Sequence, residues 1–213
     1  MVLVFFLKGI AVGVVIAVPV GPVGILCLRK FIFEGELAGL VAGLGAASGD
    51  TVFGIMAAFG LTFIAQGLLG YQGPLRVAGG CYLLYAGARA LLRPPPDEAS
   101  QHDDPETLLR GFFSTFALTI SNPITVVAFL AIFAALGLAS ARATWLSAGL
   151  LVTGVWTGSL LWWLSLGLVI QLYRRAIGPR HLALISRGSG AVLVLSGAAL
   201  LATTTVEYLA RFL

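Results

Sequence analysis

Of the nine acidic residues in the chain, Asp50 alone stands deep inside an apolar stretch, with Leu37–Gly49 before it and Thr51–Leu75 after it free of charge. A carboxyl group held in hydrocarbon is expensive and marks a functional position by default. There it can face a cation and can take up and release a proton. The packing alternative is a hydrogen bond to Ser48 or another polar neighbour.

Two proline-bearing segments break the helical pattern. In Pro19-Val20-Gly21-Pro22 each proline lacks an N–H and disturbs the bond to the residue four before it, which frees the carbonyls of Val15 and Val18. In Ser121-Asn122-Pro123 the same logic frees the carbonyl of Thr119. Such breaks persist in a membrane where protein, water or a substrate re-satisfies the backbone. Freed carbonyls suit an ammonium or metal cation, and a half-helix N-terminus suits an anion. Together they can hold both ends of a zwitterion, so the candidate substrate-binding residues are Pro19, Gly21, Pro22, Asp50, Thr119, Asn122 and Pro123, with Asp50 also the candidate for proton coupling.

Other chemistry finds little footing. Hard cations want several oxygen ligands, and one carboxylate with Thr119, Ser121 and Asn122 is thin, so no metal site is assigned. Cys27 and Cys81 form no C-x-x-C motif and read as buried small apolar residues. Neither His102 nor His181 falls in a span. No enzyme site and no cofactor are expected.

The elements that must carry these residues are membrane helices. The 213 residues are 59% hydrophobic and 10% charged, against roughly 45–50% and about 25% in soluble domains. A span needs about 20 mostly apolar residues, and uncharged runs recur: Gly9–Leu28, Leu37–Gly49, Thr51–Leu75, Gly111–Ala141, Ala143–Tyr173 and Gly188–Val206. The spacing predicts six helices, at about 5–28, 37–66, 74–92, 111–138, 143–172 and 186–207, with Arg76 and Arg89 at the ends of a short third helix. The amino terminus reads as the first span and not as a cleaved signal, because no A-x-A site follows it.

A net charge of +4 follows from basic residues at helix ends and implies no nucleic-acid partner. Nine Lys and Arg lie in the loops after helices one, three and five, and Lys8, Arg76, Arg142 and Arg211 lie on the other side. The positive-inside rule then puts both termini outside and the linker in the cytoplasm. That linker, 94–110, begins with Pro94-Pro95-Pro96, carries five acidic residues and separates a first three-helix unit (1–93) from a second (111–213). Lys8-Gly9 matches Arg110-Gly111, Gly39-Leu40 matches Gly149-Leu150, Gly49 matches Gly158, and Gly80 and Gly87-Ala88 match Gly190 and Gly197-Ala198. Three helices per unit is an odd number, so a second copy enters from the opposite side: an all-α membrane protein of two inverted repeats, an architecture common among transporters. Small-residue faces also permit close helix approach and a homodimer.

Pro19-Val20-Gly21-Pro22, Gly45-Ala46-Ala47-Ser48-Gly49-Asp50 and Asn122-Pro123, in that order and spacing, resemble the signature of the lysine exporter and homoserine/threonine resistance (LysE/RhtB) family. The resemblance covers essentially the whole chain. It implies a bacterial inner-membrane exporter of amino acids or related small metabolites driven by the proton gradient, with Pro19, Gly21, Pro22, Asp50, Asn122 and Pro123 lining a shared central region. Substrate and proton would compete for Asp50, giving antiport. The competing functions are export of a divalent metal by a related architecture and transmembrane passage of thiol electrons through Cys27 and Cys81.

Overall fold

The computed structural model describes residues 2–18, 21–58, 62–92, 104–122, 125, 128–129, 144–173 and 179–209. Helix α1 (Val2–Ala17) stops just before the Pro19–Pro22 segment. Helix α2 (Pro22–Arg29) starts with proline in its first turn, after Gly21 in extended backbone. The two axes diverge by 84°, so the expected helix over 5–28 is two helices. A π-turn, Lys30–Glu34, follows and is closed by Gly35 at φ 110°, a conformation that favours glycine.

Helices α3 (Glu36–Ala58), α4 (Thr62–Leu92), α5 (Pro105–Ser121), α6 (Trp145–Tyr173) and α7 (Pro179–Leu209) complete the described elements, and no strand occurs among the described residues. Helices α3, α6 and the 181–206 part of α7 are long and apolar enough to cross a membrane, and α1 with α2 makes a fourth such unit if counted as one bent span.

Several boundaries differ from the expected ones. Helix α4 begins at Thr62, not at 74, and carries Pro74 inside it. A proline within a membrane helix is tolerated where neighbours re-satisfy the backbone, so Arg76 lies mid-helix and not at an end. Helix α5 begins inside the predicted linker because Asp104 caps it, accepting from the Thr107 N–H at 2.9 Å, and Pro105 suits the first turn. It stops at Ser121, not at 138. Asn122 is extended (φ −81°, ψ 110°), as a residue before proline is pushed to be. Pro94–Pro96 and His102 lie outside the described residues.

Glycine decides how closely the helices approach. Helix α1 runs parallel to α6, and a Cβ on Gly9 or Gly13 would overlap the carbonyl oxygens of Leu151 or Val155. Helix α3 runs parallel to α5 in the same way, with Gly45 on the Phe112 carbonyl and Gly49 on Thr119. Helices α4 and α7 are antiparallel, with Gly80 against Gly197 and Gly87 against Gly190. Helices α3 and α6 also cross antiparallel: Gly43 meets Trp163 and Gly54 meets Val155. Such backbone approach stabilises membrane helices through dispersion, since lipid offers no hydrophobic drive between them. These glycines are used inside the chain, so they supply no argument for a homodimer.

The turn between α2 and α3 is packed. Lys30 is only 7% exposed and pairs with Glu34, and Phe31, Ile32 and Phe33 are buried around it. Arg29 reaches α7, donating to Ser189 Oγ at 2.9 Å and to the Ser186 carbonyl at 3.2 Å, and its guanidinium lies 5.2 Å from the centre of the Phe33 ring.

Candidate functional site

Asp50 is 4% exposed on α3, and its Oδ2 accepts a hydrogen bond from Ser159 Oγ on α6 at 2.8 Å. Ser159 is fully buried. Of the partners that the packing alternative allowed, Ser48 is taken, its hydroxyl donating to the Leu44 carbonyl of its own helix at 2.8 Å, and the other polar neighbour is Ser159. What brings α6 to the carboxyl is the small-residue stretch around it. Ala42, Ala46 and Ala47 are buried with Cys27 against the Trp163 ring, one turn along from the Asp50–Ser159 pair.

The third helix at this point is α5. Gly49 lies against Thr119, whose hydroxyl donates to the Thr115 carbonyl at 2.9 Å. Thr115 in turn donates across to the Ala42 carbonyl of α3 at 2.7 Å, fixing α5 on α3. The Thr119 carbonyl, expected to be free, accepts the Asn122 N–H at 3.2 Å. A tight three-residue turn takes up the acceptor that Pro123 releases.

The described contacts therefore join Asp50, Ser159 and, through Gly49, Thr119. Asn122 follows within one turn of Thr119 and is half-buried. Gly21 and Pro22 open α2, whose Val23 packs on the Cys27–Ala46–Trp163 cluster. A Cβ added to Gly21 would meet nothing within 4 Å. Pro19 and Pro123 lie outside the described residues. Cys27 is fully buried, but Cys81 is exposed, contrary to expectation. No group of three or more His, Cys, Asp or Glu that could hold a metal occurs among the described residues.

Ser159 and Trp163 were not among the residues picked from sequence. The signal for Ser159 was available: matching Gly49 with Gly158 also matches Asp50 with Ser159. Trp163 has no counterpart of that kind. Removing the hydroxyl in Ser159→Ala leaves a buried carboxyl oxygen without its donor. The expected cost is about 1–3 kcal/mol, read as a lower melting temperature in detergent. An unchanged melting temperature would mean that Asp50 does not depend on this donor.

The family model of LysE type translocators matches residues 14–204 of the chain. Among curated proteins, "Putative amino acid efflux protein YcgF" of Bacillus subtilis (strain 168) is 26% identical over 196 residues, covering 90% of this chain and 92% of that protein. "Uncharacterized membrane protein YahN" of Escherichia coli (strain K12) is 31% identical over 165 residues, covering 75% of this chain and 72% of that protein. No solved structure matches the chain significantly.

Proposed function

This chain belongs to the LysE type translocator family, and we propose that it exports amino acids or related small metabolites across a bacterial inner membrane in exchange for protons. It is a multi-pass membrane protein, and its family consists of translocators. The observation that carries the finer reading is the buried Asp50 carboxyl, held by Ser159 where α3 and α6 cross. The name of the Bacillus subtilis relative, which speaks of amino acid efflux, points the same way for the substrate class.

The proposed architecture is six spans in two inverted three-helix units, with both termini outside. The packing supports it. Matching Gly80 with Gly190 and Gly87 with Gly197 turns the Gly80–Gly197 contact into the Gly190–Gly87 contact. The α1-on-α6 and α3-on-α5 pairs exchange in the same sense, and the antiparallel α4–α7 pair is what inverted copies require. Under this matching the Asp50–Ser159 bond falls on the axis relating the units. An enzyme reporter fused after Leu213 and active only in the cytoplasm would overturn the proposed orientation.

The mechanism follows from charge and position. The substrate ammonium binds deprotonated Asp50 near Thr119 and Asn122, and the carboxylate faces the first turn of α2, a positive dipole end to which Gly21 brings no side-chain cap. Rocking of the two units opens the site outward. A proton then taken up by Asp50 removes the charge that held the ammonium and the substrate leaves. One carboxyl cannot serve proton and substrate together, and this exclusion is the antiport.

The class is tested by growth. Cells lacking their own amino acid exporters and expressing this chain should tolerate toxic amino acid analogues and gain nothing against divalent metals. Resistance to a metal alone would replace this function with metal export.

A further inference from the structure

Trp163 is 3% exposed, and its indole Nε1 is buried with no hydrogen-bond partner among the described residues. A tryptophan placed for packing alone could be phenylalanine, with no donor to leave unmade. Leaving a buried donor unpaired costs free energy wherever it occurs, and in hydrocarbon no water offsets it. Buried Trp N–H groups ordinarily find an acceptor.

The position of this donor is informative. Trp163 follows Ser159 by four residues on α6, which sets it about 5–6 Å along the helix from the Asp50–Ser159 bond. Its ring packs on Gly43, Ala46 and Ala47 of α3 and on Cys27 of α2. Val23, in the first turn of α2, packs on the same cluster. Ser159, which holds the anion acceptor Asp50, and Trp163, which carries a neutral N–H donor, therefore stand one helical turn apart at one interface, within reach of the ammonium and carboxylate of one α-amino acid.

We propose that the Trp163 indole N–H is a substrate-binding group that donates to the carboxylate of the transported amino acid, alongside the first turn of α2, while Asp50 holds its ammonium. This inference rests on the proposed amino acid transport and assigns a residue to its carboxylate end. Trp163 also becomes a specificity determinant. It favours α-amino acids over the corresponding amines, which keep the ammonium and the side chain but lack the acceptor.

The test is competition in inverted vesicles. Uptake of labelled L-leucine, L-lysine and L-threonine is measured against the decarboxylated amine of each, for the wild type and for Trp163→Phe, which keeps an aromatic ring and removes the donor. For whichever amino acid is transported, the wild type should prefer the acid over the amine by about tenfold or more, the scale of a hydrogen bond to a charged group. In Trp163→Phe the KM for the acid should rise by about that factor, the maximal rate should hold, and the preference should shrink by the same factor. A purely structural role would lower transport of acid and amine together, and that result overturns the inference.

A second measurement avoids the folding of the variant. In a protein whose only tryptophan is Trp163, with Trp145, Trp156 and Trp162 changed to Phe, the same amino acid should shift the indole emission and the amine should not. Equal response to both overturns the inference while leaving amino acid transport standing. Where the wild type transports none of the three, the same comparison is run on the full set of protein amino acids, and absence of transport of all of them overturns the transport reading and this assignment together.

Discussion

Inverted vesicles carrying Asp50→Asn are expected to equilibrate amino acids without concentrating them. A unit charge crossing 100 mV is worth about 2.3 kcal/mol, which corresponds to roughly fiftyfold accumulation if one proton drives one neutral substrate. Asparagine keeps the size of Asp50 and can still accept from Ser159 Oγ, 2.8 Å away in the wild type, so the α3–α6 crossing should survive. What it loses is the exchangeable proton and the charge that holds the substrate ammonium. The accumulation ratio should fall from tens to about one, while exchange of labelled for unlabelled substrate continues at a reduced rate. Gradient-driven accumulation at the wild-type level in this variant would remove Asp50 from the coupling step.

A comparable loss, by a different physical route, is expected from Gly13→Leu. A Cβ at Gly13 would overlap the Val155 carbonyl oxygen and fall 2.8 Å from the Ser159 backbone nitrogen. Both are backbone atoms of α6, so no side chain can turn aside. Restoring ordinary contact at about 3.5 Å requires α1 and α6 to separate, which breaks the matching approach of Gly158 to Ile10 and disturbs Ser159 itself. The folded yield in membranes should fall by about tenfold or more, since overpacking of this kind costs upward of about 1–3 kcal/mol. Gly149→Leu is the control. A Cβ there meets nothing within 4 Å, and its yield should match the wild type. Equal yields of the two variants, measured by fluorescence-detected size exclusion, would contradict the close α1–α6 packing.

The helical membrane class and the place of Asp50 could be read from residue types alone, because a single charge in a long apolar run has no cheap explanation. The break between α1 and α2 was legible for the same kind of reason: proline and glycine punctuate a helix locally. Pro74 shows the limit of that signal. Proline frees backbone groups in any helix, but whether the helix ends depends on neighbours far away in sequence, and α4 continues through it. Residue types put Lys30 only among the basic residues of the loop after the first helix. Its burial depends on Glu34 one turn on and on the packed turn around Phe31 and Phe33.

Ser159 and Trp163 were missed because neither type of residue is unusual in a membrane helix. Their meaning comes from α3, more than 100 residues earlier, and only the crossing of α3 with α6 reveals it. The Thr119 carbonyl illustrates the converse. The prediction that Pro123 would release it was sound chemistry, yet a one-residue tightening of the turn lets Asn122 take it up.

Gradient-driven export of an amino acid is tested most directly by uptake of a panel of labelled amino acids into inverted vesicles containing the wild-type chain, with the proton gradient intact and then collapsed by an uncoupler. Export in the cell appears there as accumulation. One or a few amino acids should concentrate tens of fold with the gradient and fall to equilibrium when it is dissipated. If none of the panel accumulates while a divalent metal ion does, amino acid export is contradicted.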